Sequence, residues 1–263
     1  MSAPSEPGIA GSLLDPADPP PFRLFEERTA SPFLLSADHA GRAIPRALGS
    51  LGLSQADLDR HIAWDIGIAG VTERLAASLG CFAILQSYSR LVIDCNRPPH
   101  VDSSIATLSE YTEIPGNLGL SAAQKAERQR AIFAPYHARL LAEFERRERE
   151  QRPLIYVAMH SFTPRFKEVD REWQFGVLYN RDTRLALELL AVLRAEGFEV
   201  GDNQPYFVSD LSDYGVPTYG EQRGHVHVEL EIRQDLIATP EAQGRIAGLL
   251  SHALPAAAKP FLG

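Results

Sequence analysis

LIYVAMHS, residues 154–161, sets six apolar positions in a row before His160 and Ser161 interrupt them. A strand wetted on one side alternates apolar with polar residues. An unbroken run of this length fits a strand covered on both faces, as in a parallel sheet sandwiched by helices. The chain on either side repeats the theme. PFLLS (32–36) is a shorter buried strand that breaks into a polar turn containing Asp38, His39 and Gly41. Residues 66–79 carry apolar positions at helical spacing and stop at Gly80, and strands are predicted over 81–85 and 89–95. The stretch 121–151 repeats one amphipathic face over several turns and predicts a long helix bent at Pro135. Beyond residue 161 the pattern predicts strands at 175–178, 198–200 and 226–232, and helices at 183–196 and 241–254. Strands alternating with helices predict one α/β domain built on a mainly parallel sheet with helices on both faces.

Composition narrows the function. The chain has 263 residues, 44% hydrophobic and 23% charged, enough for a sizeable core. Its net charge of −8 opposes nucleic acid or an anionic membrane surface as partner, because both demand a concentrated positive field. No apolar run approaches the roughly 20 residues of a membrane helix. Two cysteines, Cys81 and Cys95, both lie in apolar runs, which suits a reducing cytoplasm better than a disulfide framework. Residues 1–22, rich in Pro, Gly, Ser and Ala, lack the basic start and apolar segment of a signal peptide and read as a flexible extension ahead of a catalytic domain at 23–263. A small-molecule ligand is the expected partner.

In open α/β sheets, ligands collect beyond the carboxyl ends of the strands, and both His39 and His160 are predicted there. Each alone is an ordinary loop residue. Together they suggest a metal, because neutral imidazole is the commonest zinc donor and a catalytic zinc takes three protein ligands. A third ligand is not fixed by position: Asp65 is a candidate whose position alone favours capping the helix that follows it, and Asp38 is a second candidate. In GHVHVELEI (224–232), the strand period places His225, His227, Glu229 and Glu231 on one face, either as the wet side of a strand or with one carboxylate serving as general base. Arg90, Asn96 and Arg97 flank an apolar run; in an acidic protein they form either a solvated rim or a fork for a substrate carboxylate.

Six blocks, SADHAGRAIP (36–45), HIAWDIG (61–67), SRLVIDCNRP (89–98), APYHARL (134–140), MHSFTP (159–164) and VELEIRQDL (228–236), together resemble the N-formylglutamate amidohydrolases. The resemblance implies a relative of the zinc carboxypeptidase and aspartoacylase group, with a central mixed, mostly parallel sheet, a phosphorylase/hydrolase-like fold and a bound Zn2+ or another divalent metal. It implies hydrolysis of the amide of an N-acyl amino acid, with N-formyl-L-glutamate as best match. Carried over by residue, it makes His39 and His160 metal ligands, Arg90, Asn96 and Arg97 the carboxylate-binding group, and Glu231 the base, with Glu229 as its rival. The relatives place a metal-binding Glu three residues after the first His, where this chain has Arg42; Asp65, inside its own matching block, is the implied replacement. Tyr136 and His137 fall in a matching block on a helix, where packing also accounts for them. A zinc peptidase or peptidoglycan amidase, and a binding protein that keeps the fold without catalysis, are the competing readings.

Overall fold

The structure, a computed structural model, describes residues 12–262. Seven strands form the main sheet: β1 (Phe22–Phe25), β2 (Phe33–Ala37), β3 (Phe82–Gln86), β4 (Ile155–Phe162), β5 (Phe175–Leu178), β6 (Val200–Asp202) and β7 (Val226–Arg233). Their order is β1-β3-β2-β4-β7-β5-β6. The four central strands β3, β2, β4 and β7 run parallel, whereas β1 joins β3 and β5 joins β7 antiparallel. The sheet is therefore mixed but mostly parallel, as the sequence predicts. Of the predicted extension, residues 1–11 lie outside the described residues; from there, Leu13 is buried and its N–H donates to Glu127, while the Tyr88 hydroxyl donates to the Pro19 carbonyl.

Alternation along each strand divides the interior into two cores. Phe33, Leu35, Val157, Met159, Val228 and Leu230 face one side. There they meet α1 (Ile68–Leu79), with α4 (Arg184–Ala195) and α5 (Pro240–Ala258) packed beside it. Leu34, Tyr156 and Ala158 face the other, under α2 (Ala122–Arg128), α3 (Ala134–Arg149) and long loops. Each fully buried Leu, Ile or Val contributes about 1.5–3 kcal/mol over its exposed state, so the two-sided burial fixes which strand positions point where. His160, Glu229 and Glu231 share the parity of Tyr156 and Ala158 and open toward the second side.

Four sequence expectations need correction. Residues 89–95 are not a strand: their carbonyls and amides are taken singly, Leu91 O by Asn117 Nδ2, Val92 O by Arg128 Nη1 and Asp94 N by Ser104 O, so buried side chains replace a ladder. Strand β4 runs past His160 to Phe162, because β7 pairs with it through Arg233, and the histidine sits inside the strand near its end. The strand expected at 198–200 begins instead at Val200, with Phe198 packed edge-on against Phe175. The 121–151 helix is not uniformly α-helical ahead of Pro135. It widens into a π turn at Gln129–Phe133, which accommodates a ring that lacks an N–H and crowds the carbonyl one turn back. Among the described residues no helix is long and apolar enough to cross a membrane, and both cysteines are free and buried.

Arg147 on α3 has a fully buried side chain that donates to the carbonyls of Ser31 and Phe33 and pairs with Glu143 at 3.0 Å and Glu27 at 3.1 Å, anchoring the start of β2. Glu27 in turn takes two bonds from Arg152, at 2.7 and 2.9 Å. Those bonds, with Arg146 and the Arg147 charge, outweigh burial and hold its carboxyl at about 2 instead of 4.5. A depressed folded-state pKa contributes stability that is present above pH 4.5 and is lost as pH falls toward 2. We expect about 2 kcal/mol of unfolding free energy to disappear over that window in urea titrations. Glu27→Gln should show the deficit already at neutral pH and a shallower acid profile; a profile matching the parent would show that the acid sensitivity lies elsewhere.

Candidate active site

The turn after β2 delivers His39, the segment before α1 delivers Asp65, and β4 delivers His160. One donor atom from each lies within 4.8 Å of the others, and all three residues are buried. Nδ1 of His160 is 3.1 Å, and Nδ1 of His39 3.6 Å, from the same Asp65 Oδ2. The helix-cap alternative for Asp65 does not describe this geometry. The residue at the α1 N-cap is Gly67, in a left-handed conformation with the Ile237 carbonyl 2.3 Å from where a Cβ would sit. The Asp65 carboxylate instead accepts from the Ser161 N–H at 3.1 Å.

Behind the histidines stand two carboxylates. His39 donates from Nε2 to Asp94 Oδ1 at 2.7 Å, which directs Nδ1 inward, where it is buried without a hydrogen-bond partner. Asp38 accepts from the Tyr136 hydroxyl, and its unpartnered Oδ2 lies 3.9 Å from the likewise unpartnered Nε2 of His160. A carboxylate behind a ligating imidazole fixes its tautomer and orientation. The donor set, two imidazole Nδ1 atoms and a carboxylate, fits a divalent cation such as zinc.

The charge balance points the same way. Asp38, Asp65, Asp94, Glu229 and Glu231 are all buried around the pair of histidines, with Arg90 and Arg97 as the nearby cations. Burial would raise Asp65, yet His39 and His160 pull it below the ordinary carboxylate range; burial would raise Asp94, yet Arg90 and His39 depress it further. Burial lifts both glutamates. His160 is driven up to about 10 against its burial by Glu229, Asp65 and Glu231, and the field that gives it such proton affinity is one a divalent cation would neutralise.

Parallel register puts Glu231 directly opposite His160 and Glu229 opposite Ala158. Glu231 Oε2 is buried without a partner, whereas Glu229 Oε2 has Asn96 Nδ2 at 3.5 Å. On the other flank Glu231 pairs with Gly176, where a Cβ would meet the Gln204 carbonyl at 2.4 Å, so only glycine admits that loop beside the glutamate. His227 lies lower on β7, near Glu221 and Asp182, and His225 pairs with Glu148 at the surface, so neither joins the cluster. His137 packs among Phe133, Tyr136 and Tyr214 with both ring nitrogens bonded, and burial pushes its pKa to about 3.

His39, Asp65, Asp94, His160, Glu229 and Glu231 line one cavity of about 440 Å³ that also holds Arg90, Asn96 and Arg97. Arg90 donates to Asp94 Oδ2 at 2.7 Å and lies 3.6 Å from Asp65; Arg97 donates to Asp213 Oδ1 at 2.8 Å and to the Ser212 carbonyl. Roughly a quarter of each side chain stays exposed. Asn96 spends its Oδ1 on the amides of Tyr214 and Gly215, tying the 213–215 loop to the turn that carries Asp94. Sequence reasoning missed Asp94 because a strand reading of 89–95 gave its side chain no direction; the turn brings it onto His39. It also missed the aromatic part of the wall: Phe162 at the end of β4, and Phe166, Tyr206 and Phe207 on short segments without periodicity.

The model of the N-formylglutamate amidohydrolase family matches residues 31–238, which include every residue of the cluster. No curated protein matches the chain. The gene product Atu2144 of Agrobacterium tumefaciens has a similar crystal structure, with 33% identity, a TM-score of 0.91 and coverage of 94% of this chain and 98% of that one. The N-formylglutamate amidohydrolase of Ralstonia eutropha JMP134 shares the fold at 18% identity, with a TM-score of 0.70 over 91% of this chain and 97% of that one. By a family match that spans most of its length, residues 31–238, this chain belongs to the N-formylglutamate amidohydrolase family.

Proposed function

We propose that the protein is a metal-dependent amidohydrolase that cleaves the amide of an N-acyl acidic amino acid, with N-formyl-L-glutamate as the leading substrate. The observation that carries this reading is the convergence of His39, Asp65 and His160 beside an unpartnered Glu231 oxygen in one cavity. His39 Nδ1, the Asp65 carboxylate and His160 Nδ1 would hold the cation, zinc or another metal that accepts nitrogen and oxygen donors. When bound, it supplies Lewis-acid polarisation of the scissile carbonyl and acidifies water. Glu231 takes the proton of the attacking water at Oε2 and returns it to the leaving nitrogen, a carboxylate shuttle favoured by the burial that raises its proton affinity. Asp94 holds the His39 imidazole in place through its bond to Nε2. Arg90 and Arg97 meet the substrate carboxylates, and the buried walls exclude bulk water.

The decisive assay is a panel of N-acyl amino acids followed for amine release with and without chelator. Hydrolysis that vanishes on chelation and returns with metal supports the reading, and chelator-insensitive hydrolysis overturns its metal dependence. The arginine fork has its own test. Arg97→Ala should cut kcat/KM on an N-acyl glutamate by about tenfold or more, the scale of one charge-assisted hydrogen bond, and affect the glutamine analogue far less. Equal losses on both would make Arg97 a structural clamp on Asp213 and nothing more.

A further inference from the structure

Resting on that reading, we propose that the acyl half of the site is an aromatic wall built to take an apolar acyl group much larger than formyl. If the two arginines claim the amino-acid half of the substrate, the acyl half faces the remaining lining, which includes the rings of Phe162, Phe166, Tyr206 and Phe207. A cavity of about 440 Å³ falls in the range of sites for drug-sized ligands, about 300–1,000 Å³, more than a formylated amino acid occupies.

The wall is a built structure. The Arg171 guanidinium carbon lies 4.6 Å from the ring centre of Tyr206, 4.9 Å from that of Phe166 and 5.8 Å from that of Phe162, and Nη1 donates to the Tyr206 hydroxyl at 2.8 Å. One cation therefore holds three rings of the lining in a fixed relation. Its outer edge consists of three segments: the hairpin Leu108–Ser109 with Thr112–Glu113, the hairpin Arg165–Phe166 with Val169–Asp170, and the loop over residues 205–213. They are tied together. The Lys167 N–H donates to Glu110, which also pairs with Arg60 and approaches His61, and Arg171 links the second hairpin to Tyr206. Among the described residues, most of the large hydrophobic side chains left exposed sit on these segments: Leu108, Tyr111, Val169, Tyr206, Phe207 and Leu211. Phe207, which lines the cavity, is 69% exposed. Apolar side chains gathered at a cavity mouth are costly to hydrate and gain from covering by an apolar ligand.

The test is a series of N-acyl-L-glutamates, acetyl, butanoyl, hexanoyl and phenylacetyl, assayed with the metal-loaded protein. The expected kcat/KM rises about two- to fourfold per methylene from acetyl to hexanoyl, as for a methylene moved from water into an apolar groove, with phenylacetyl at or above hexanoyl. Phe207→Ala, checked for an unchanged melting temperature, should flatten the slope of the series; a truncation that only disturbed folding would lower all rates in parallel. A flat or falling series in the parent overturns the proposal while leaving amide hydrolysis standing. Failure to hydrolyse any member while N-formyl-L-glutamate is cleaved overturns this proposal alone; failure on N-formyl-L-glutamate as well overturns the amidohydrolase reading with it.

Discussion

Glu231→Gln should retain the fold and bind metal like the parent while losing about 10²–10⁴-fold in kcat, the usual contribution of a positioned acid–base group. The amide matches the carboxylate in shape, so the pairing of β7 with β4 and the contact with Gly176 are preserved. What is lost is the ability of Oε2 to take and return a proton. Glu229→Gln is the control: its side chain lies one pleat away, roughly 6.6 Å along the strand, and is already approached by Asn96. It should cost far less. The comparison is made by steady-state kinetics on metal-loaded proteins with metal content measured on the same samples. A nearly active Glu231→Gln beside an inactive Glu229→Gln would exchange their roles, and full activity in both would remove the base from the mechanism.

Asp65→Asn has the second large effect, expected on metal affinity. Both imidazole Nδ1 atoms converge on the Asp65 carboxylate, the one anionic group of the three donors. An asparagine can still accept the Ser161 N–H, so the local backbone is kept while the charge is removed. The affinity for zinc, measured against a competing chelator, should fall by more than the about 10–100-fold typical of losing a group that only orients a ligand. Asp94→Asn, which leaves His39 its hydrogen bond but weakens it, should fall within that smaller range. Equal, slight effects from both would mean that the cation is held elsewhere; an Asp94 effect exceeding that of Asp65 would reassign the ligand.

How much of this was legible in the sequence follows the kind of order involved. Buried parallel strands announce themselves as apolar runs, so the strands and helices that position the site were placed within a few residues. Residues 89–95 show the limit. They are as apolar as a strand because they are as buried as one, but their backbone partners are Asn117 and Arg128 side chains, and nothing local in the sequence distinguishes these from a ladder. His39, Asp65 and His160 were singled out from strand-end placement and the resemblance together, and the structure brings them together; position alone could not have preferred Asp65 over a cap. Asp38, weighed as a ligand, instead stands behind His160 and bonded to Tyr136. Orienting groups of this kind arrive through long-range turns and carry no periodic signal.

The alternation of β4 and β7 has a further consequence for how the protein tolerates mutation. Leu230 and Ile232 pack in one core while Glu229 and Glu231 point into the other side, so a one-residue slip of β7 would exchange the two sets and drive carboxylates into hydrocarbon. Strand alignment is thereby enforced from the face remote from the chemistry. Lesions in Val228 or Leu230 that loosen this alignment should surface as inactive protein with an intact set of reactive side chains, and a genetic screen for lost activity would score the far side of the sheet alongside the cavity itself.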